Sequence, residues 1–134
     1  MATFKKFEEI EVWQKGRALD LELFKVVEGT RIARDFKLRD QMLGSSGSIM
    51  DNVAEGFGRG GNKEFIQFLY ISKGSCLELM SQCYRAFDRK YITEEQLKLF
   101  LERLEEIKNK IPGLSSYLGQ SDLKGPKYMN RGIN

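Results

Sequence analysis

Histidine is absent from the chain of 134 residues, and its absence excludes several kinds of catalytic and metal chemistry. Ser-His-Asp and Cys-His catalysis both need an imidazole as the base. The Glu-x-x-His motifs that hold iron in ferritin-like bundles are equally impossible. A Walker A motif is missing too, because the glycine-rich residues 56–61 lack its Lys-Ser/Thr pair and are better interpreted as a turn between helices. We therefore expect a protein that is not an enzyme and that holds no cofactor.

Cysteine is also scarce, and the two that occur are too far apart to bond. Cys76 and Cys83 lie seven residues apart in a segment with a helical apolar period. That spacing places them on one face of a helix, about 10 Å apart along its axis, whereas a disulfide needs Cα atoms within about 7 Å. We predict two reduced thiols in the core. With no histidine and no second thiol pair, we predict no metal site.

Proline and long apolar runs are missing over most of the chain. The only prolines are Pro112 and Pro126, so residues 1–111 contain none, which favours long helices over strands. No run reaches the roughly 18 apolar residues that span a bilayer. Lysine and glutamate residues interrupt the start of the chain, where a signal peptide would be apolar. A cytoplasmic location with no membrane partner is expected.

Four segments repeat apolar residues at the 3.6-residue period of a helix. The predicted helices cover about residues 10–28, 36–57, 63–90 and 94–118. Because the connections between them are short, the pattern predicts an all-α, antiparallel up-down-up-down four-helix bundle that occupies residues 1–118 as one domain. Residues 119–134 are polar and are expected to form a flexible basic tail.

Two local features are less regular. Residues 44–48 read Gly-Ser-Ser-Gly-Ser, which is typical of a loop, yet Met42 and Ile49 on either side stay in helical register. We predict a continuous helix whose small residues let a neighbouring helix approach, with two short helices around a loop as the alternative. Asn62, after the glycine turn, is expected to cap the third helix.

Three motifs resemble a known family. Residues 7–15 (FEEIEVWQK) resemble F-x-x-L-x-V-W-Q-K, residues 41–56 (QMLGSSGSIMDNVAEG) resemble Q-x-x-R-A-x-x-S-I-x-x-N-I-A-E-G, and residues 64–79 (EFIQFLYISKGSCLEL) resemble E-F-x-R-F-L-x-I-A-x-G-S-x-x-E-L. These patterns are those of the 23S ribosomal RNA intervening-sequence proteins, and the resemblance covers about residues 4–118. It departs at Gly44, where the family has an arginine, so a basic position on the second helix is lost.

The resemblance implies a shape more than an activity. Members of this bacterial family look like antiparallel four-helix bundles that associate as ring-shaped homopentamers, and some are encoded inside intervening sequences of ribosomal RNA genes. The accessory protein of diversity-generating retroelements is similar, and it binds nucleic acid and a reverse transcriptase through a basic surface. No catalytic residues come with the family.

Nucleic-acid binding is the first of three functional hypotheses. The net charge of +3 is mild, but a ring of subunits would multiply it into a sizeable field. The basic residues expected to contact RNA or DNA lie on the first helix, at the glycine turn and in the tail: Lys15, Arg17, Arg59, Lys63, Lys124, Lys127 and Arg131. The alternative for each is an ordinary solvated side chain.

The second hypothesis is a homo-oligomeric scaffold that binds a partner protein and no nucleic acid. The third helix carries a second apolar stripe in addition to its main one. Its members are Ile66, Tyr70, Leu77 and Tyr84. We predict that this stripe forms the subunit interface, unless it faces another helix of the same bundle.

The third hypothesis is a carboxylate-based enzyme. Glu55 and Glu78 lie in stretches of apolar or small residues, and they would act as an acid–base pair if they met inside the bundle. The structural alternative has each buried carboxylate hydrogen-bonded to a nearby polar group such as Asn52 or Ser75.

Overall fold

The computed structural model describes the backbone of residues 4–124 and the side chains of residues 4–120. Four helices, α1 to α4, cover Glu11–Glu28, Phe36–Gly58, Asn62–Asp88 and Glu94–Lys124. Short 3-10 turns at Phe7–Glu9 and Arg31–Arg34 precede α1 and α2. Residues 4–124 contain no strand. The prediction of an all-α four-helix bundle is confirmed.

An apolar core receives one stripe of side chains from each helix. Leu19 and Leu23 of α1, Ile49 of α2, Leu79 of α3 and Leu104 of α4 are all shielded from solvent. Burying one such side chain stabilises the fold by about 1.5–3 kcal/mol. The helices pack in chain order, with the most extensive contact between α2 and α3 and the least extensive contact between neighbours at α1 and α4. The first and last helices therefore form the smallest interface between neighbouring helices.

The alternating helix directions give the bundle two different ends. The α1–α2 and α3–α4 connections, residues 29–35 and 89–93, share what we call the paired-loop end, where Arg31 donates to the carbonyl of Lys90 at 3.3 Å. The α2–α3 connection, residues 59–61, forms the glycine-turn end. There Asn62 donates its side-chain amide to the carbonyl of Leu118 at 3.0 Å, which ties α3 to α4.

The expected cap of α3 is wrong. Gly61 is the N-cap residue, and no side chain bonds to the first turn of the helix. Asn62 is already helical, and its amide is used by the bond to α4 instead.

The Gly-Ser segment is helical, as predicted, but its glycines do not admit a neighbouring helix. A Cβ added to Gly44 would meet nothing within 4 Å, and one added to Gly47 would meet only the carboxylate of Asp51. The serines of the segment do contact neighbouring helices, as in the bond from Ser75 to Ser48 at 2.9 Å. A glycine of α2 in close contact with α3 is Gly56, where a Cβ would lie 2.6 Å from that of Phe68. Gly44 faces outward because the apolar stripe of α2 lies on the other side of the helix.

The fourth helix is longer than its apolar pattern predicts. α4 contains Pro112 and continues to Lys124, so residues 119–124 are helical rather than part of a tail. The pattern suggested an end at residue 118 because polar residues follow, but helix formation does not require an apolar stripe to continue. The rest of the predicted tail, residues 125–134, lies outside the described residues.

Candidate nucleic-acid and partner-binding surfaces

The two α1 residues expected to contact nucleic acid are both engaged within the bundle. The Lys15 ammonium lies 3.2 Å from a carboxylate oxygen of Glu106 on α4. Arg17 is exposed, and its guanidinium lies 5.7 Å from the centroid of the Trp13 ring in a cation–π contact. The charge of Lys15 is therefore balanced locally, whereas Arg17 stays accessible.

Lys15 belongs to a row of ion pairs that joins α1 to α4. Glu11 pairs with Lys110 at 3.2 Å, and Glu22 pairs with Arg103 at 3.2 Å. The α1 members are spaced by one and by two helical turns, so they share the side that faces α4. The row neutralises the surface where the first and last helices meet.

The glycine-turn end holds one paired and one unpaired cation. Arg59 donates to Glu55 at 2.8 Å, and its guanidinium lies 5.0 Å from the centroid of the Phe68 ring. Lys63, in the first turn of α3, is exposed and has no acidic partner within residues 4–120. The turn therefore brings the two predicted cations to one end of the bundle, but only Lys63 carries unbalanced charge.

The predicted contacts in the tail are not placed by the structure. Lys124 is the last residue of α4, and its side chain is outside the described set. Lys127 and Arg131 lie outside the described residues altogether. Their contact with nucleic acid stays a prediction.

The sequence-based hypotheses missed a basic segment at the paired-loop end. Residues 31–39 contain a single acid and four cations, which are Arg31, Arg34, Lys37 and Arg39. Arg39 pairs with the neighbouring Asp40 at 3.0 Å, but the other three have no acidic partner within residues 4–120. A charge count over short windows would have found the segment, because the whole chain has an excess of only three cations.

Asp35 fastens this basic segment to the α3–α4 connection. One carboxylate oxygen accepts from Arg89 at 2.7 Å and from the Tyr91 hydroxyl at 3.0 Å, and the other accepts from the backbone N–H of Leu38 at 3.4 Å. The bond from Tyr91 is the main cause that lowers the pKa of Asp35, and the same bond raises the pKa of Tyr91. An ionised Asp35 thus caps α2 and holds the two connections together.

Three of the four residues predicted as a subunit interface lie on the outer side of α3. Tyr70, Leu77 and Tyr84 recur every seven residues, with 49%, 48% and 51% of their surfaces exposed. Ile66 differs, because it is partly buried and packs against the core. The bundle covers only about half of the three outer side chains, which leaves an exposed apolar stripe along α3.

Two of the predicted buried polar residues lie at the α2–α3 contact. Ser75 is buried and donates to the Ser48 hydroxyl at 2.9 Å. Asn52 is half-buried and donates to the backbone and side-chain oxygens of Ser48, both at 2.8 Å. Serine and backbone groups, and no carboxylate, therefore satisfy this part of the interface.

The prediction of two buried glutamates is wrong. Glu55 and Glu78 are both exposed, because the α2–α3 contact is filled by small side chains and the longer ones reach out to its rim. Glu55 binds Arg59, and Glu78 accepts from Ser45 at 2.9 Å. Ser45 and Glu55 are ten residues apart on α2, about 15 Å along the helix. The two carboxylates therefore do not form the close pair that acid–base catalysis would use.

The thiols lie in the core. Cys76 and Cys83 are free and fully buried, and burial raises the pKa of each thiol to about 12. Such thiols are unreactive at neutral pH. Among the side chains that the structure describes, no three His, Cys, Asp or Glu residues are grouped as a metal ion would require. None of the described helices combines the length and the apolar character of a membrane span.

The comparison with known families agrees with the sequence motifs. The family model described as 23S rRNA-intervening sequence protein matches residues 8–113, from the first 3-10 turn well into α4. The chain belongs to this family. The resemblance inferred from the three motifs is confirmed, while the likeness to the retroelement accessory protein stays a prediction. No curated protein matches the chain.

Proposed function

We propose that this family member is a non-catalytic bundle that assembles as a homo-oligomer in the bacterial cytoplasm and binds nucleic acid, either RNA or DNA. The observation that carries the proposal is the uneven distribution of charge. Ion pairs close the α1–α4 face, whereas Arg31, Arg34 and Lys37 have no acidic partner within residues 4–120. Unpaired cations clustered at one end of the bundle attract a phosphate backbone. The name of the family, which refers to ribosomal RNA, is compatible with such a role.

The outer stripe of α3 supports the self-association part of the proposal. Tyr70, Leu77 and Tyr84 form a half-exposed line on a long, regular helix, and aromatic side chains are enriched in protein interfaces. Copies joined through this stripe would repeat the basic segment around the assembly, and the field would grow with the number of subunits. The homopentamer implied by the family resemblance is the expected state.

Salt-dependent binding tests the nucleic-acid part. The full chain is titrated into a labelled single-stranded RNA or DNA oligonucleotide at several salt concentrations. We expect the logarithm of the binding constant to fall linearly with the logarithm of salt, with a slope of about −0.7 for each phosphate contact. Absence of binding at low ionic strength overturns this part of the proposal.

Light scattering tests the assembly. We expect an oligomer at micromolar concentration, and a monomer for a variant with Tyr70→Ser and Leu77→Ser, because both side chains are already half-exposed and are not needed for the core. The double substitution Lys25→Ser and Lys98→Ser, on exposed positions of α1 and α4, is the control and should leave the oligomer unchanged. A monomeric wild-type chain contradicts the assembly.

A scaffold that binds a partner protein without nucleic acid is the second candidate. It is favoured by a further set of exposed apolar side chains, Leu21 and Phe24 on α1 and Phe36 at the start of α2, which are 56%, 49% and 64% exposed. The test is purification from host cells. One stoichiometric protein partner that Phe24→Ser removes, with no nucleic acid retained, would favour the scaffold. Retained nucleic acid with no such partner would exclude it.

A further inference from the structure

A polar hollow opens at the paired-loop end, between the last turn of α1 and the α3–α4 connection. Its volume is about 540 Å³. The side chains that can bind a ligand there belong to Glu28, Thr30, Arg31, Arg34 and Tyr91. We call it the Arg31–Arg34 hollow. Four of these five side chains carry a hydrogen-bond donor, and Glu28 is the single carboxylate.

Arg31 is held in place at the wall of the hollow. It donates one N–H to the carbonyl of Lys90 at 3.3 Å, and its guanidinium lies 5.4 Å from the centroid of the Tyr91 ring. That ring is itself fixed, because its hydroxyl donates to Asp35 at 3.0 Å. A guanidinium has five N–H donors, so most of them stay available after the bond to Lys90. The donors are already oriented, and little side-chain freedom is lost on binding.

Arg34 and Thr30 add further donors. Arg34 is exposed and has no acidic partner in the part of the chain whose side chains are described. The Thr30 hydroxyl oxygen accepts from the backbone N–H of Ile32 at 3.3 Å, which leaves its own proton free to donate. Two guanidinium groups and a hydroxyl around one open hollow suit an anion with several oxygen acceptors.

We propose that the Arg31–Arg34 hollow binds a phosphate group, in the first place a phosphodiester of the nucleic-acid backbone. Arginine suits this task because its planar fork matches the oxygens of a phosphate. The volume exceeds what a single phosphate needs and leaves room for the attached sugar. The inference rests on the proposed nucleic-acid function, and it names the place where the backbone is held. The glycine turn is a poorer choice, because Glu55 already neutralises Arg59, and of the two cations predicted there only Lys63 is unpaired within residues 4–120.

The test changes the charge of the hollow in both directions. Arg34→Gln removes a cation whose side chain makes no hydrogen bond or ion pair within residues 4–120, so the bundle should be unaffected. We expect nucleic-acid affinity to fall about tenfold, the loss of one charge-assisted contact, and the salt slope to shrink by about 0.7. Glu28→Gln removes the carboxylate found among the described side chains that line the hollow, and it should raise the affinity. Arg31→Lys keeps the charge but loses the fork, so its affinity should lie between those of the wild type and Arg34→Gln.

A matched control separates the hollow from general charge effects. Arg17→Gln also removes one exposed arginine, but from α1, where the guanidinium stacks on Trp13. It should weaken binding much less than Arg34→Gln. If all four variants bind like the wild type, the hollow is not the site, and the proposed nucleic-acid function still stands.

A second arm uses inorganic phosphate and pyrophosphate as probes. The amide signals of residues 28–34 are followed by NMR during titration, in the wild type and in Arg34→Gln. Shifts that Arg34→Gln abolishes, in a chain that binds no nucleic acid, would support the hollow as a site for free phosphate and overturn the proposed function. If neither phosphate nor nucleic acid produces shifts there, the hollow is overturned as a phosphate site.

Discussion

The α2–α3 interface and the α1–α4 interface lie on opposite sides of one bundle and are closed by different chemistry. Between α2 and α3, small residues let the backbones approach, and Ser72 donates to the carbonyl of Ile49 at 2.7 Å in a fully buried site. Between α1 and α4 the contact is sparser, and exposed ion pairs span it. Buried contacts stabilise a fold strongly, whereas exposed ion pairs contribute little. Stability and surface charge are therefore governed by different interfaces and can be changed separately.

The largest effect on stability is expected at Gly56, where α2 and α3 approach closely. In Gly56→Ala the new Cβ would lie 2.6 Å from the Cβ of Phe68, an atom that cannot move without its backbone. α2 and α3 must separate, and we expect a loss of about 2–3 kcal/mol in the free energy of unfolding, the upper part of the range for overpacking. Urea denaturation measures it. A variant as stable as the wild type would show that the interface is looser than described.

A smaller loss of stability is expected when the buried hydrogen bond between α3 and α2 is removed. Ser72→Ala removes the donor to the Ile49 carbonyl and should lower the free energy of unfolding by about 1 kcal/mol. Ser81→Ala is the matched control, because Ser81 is exposed on the same helix and its hydroxyl makes no hydrogen bond within residues 4–120. Equal stabilities of the two variants in urea would mean that the buried bond adds nothing.

Some features of the α2–α3 interface can be predicted from the sequence and others cannot. The register of Met42 and Ile49 was enough to predict a helix through the Gly-Ser segment, because an apolar stripe continues only if the helix does. The serines of that segment do meet the neighbouring helices, since Ser48 accepts from Ser75 of α3 at 2.9 Å, but its glycines do not, because a helix turns about 100° per residue. Gly44, two residues after Met42, therefore lies on the outer face.

The candidate site was harder to predict than the fold. Local patterns do not reveal contacts such as that between Arg31 and Lys90, which are 59 residues apart in sequence. Likewise, no pattern in α1 shows that Lys15 is neutralised by Glu106 on α4. The charges themselves were visible in the sequence, but which of them stay unpaired depends on how the helices pack.

The outward position of Gly44 predicts an effect of opposite sign to that of Gly56. Since a Cβ at Gly44 would meet nothing within 4 Å, Gly44→Ala should keep all contacts and reduce the freedom of the unfolded chain. We expect a gain of about 0.5–1 kcal/mol in the free energy of unfolding. Thermal denaturation beside Gly56→Ala checks it. A loss instead would indicate that the outer face of α2 is covered, for example by another copy of the chain.

The smallest effect on stability is expected at the α1–α4 interface, where the same variant also tests whether a paired cation contributes to nucleic-acid binding. Lys15→Gln breaks the ion pair with Glu106. The side chains of Lys15 and Glu106 are 32% and 55% exposed, so the substitution should change the free energy of unfolding by less than about 0.5 kcal/mol. It should also leave nucleic-acid affinity and its salt slope unchanged, because the charge of Lys15 is already balanced.

Glu106→Gln completes that test, because it frees Lys15 without adding a cation to the chain. If only unpaired cations bind the phosphate backbone, Glu106→Gln should raise affinity wherever nucleic acid reaches the α1–α4 face and leave it unchanged if contact is confined to the paired-loop end. We expect no change. A gain with Glu106→Gln together with a loss with Lys15→Gln would show that the α1–α4 face is part of the interface. In that case the acidic residues of the ion-pair row would compete with the phosphate backbone for the cations of that face.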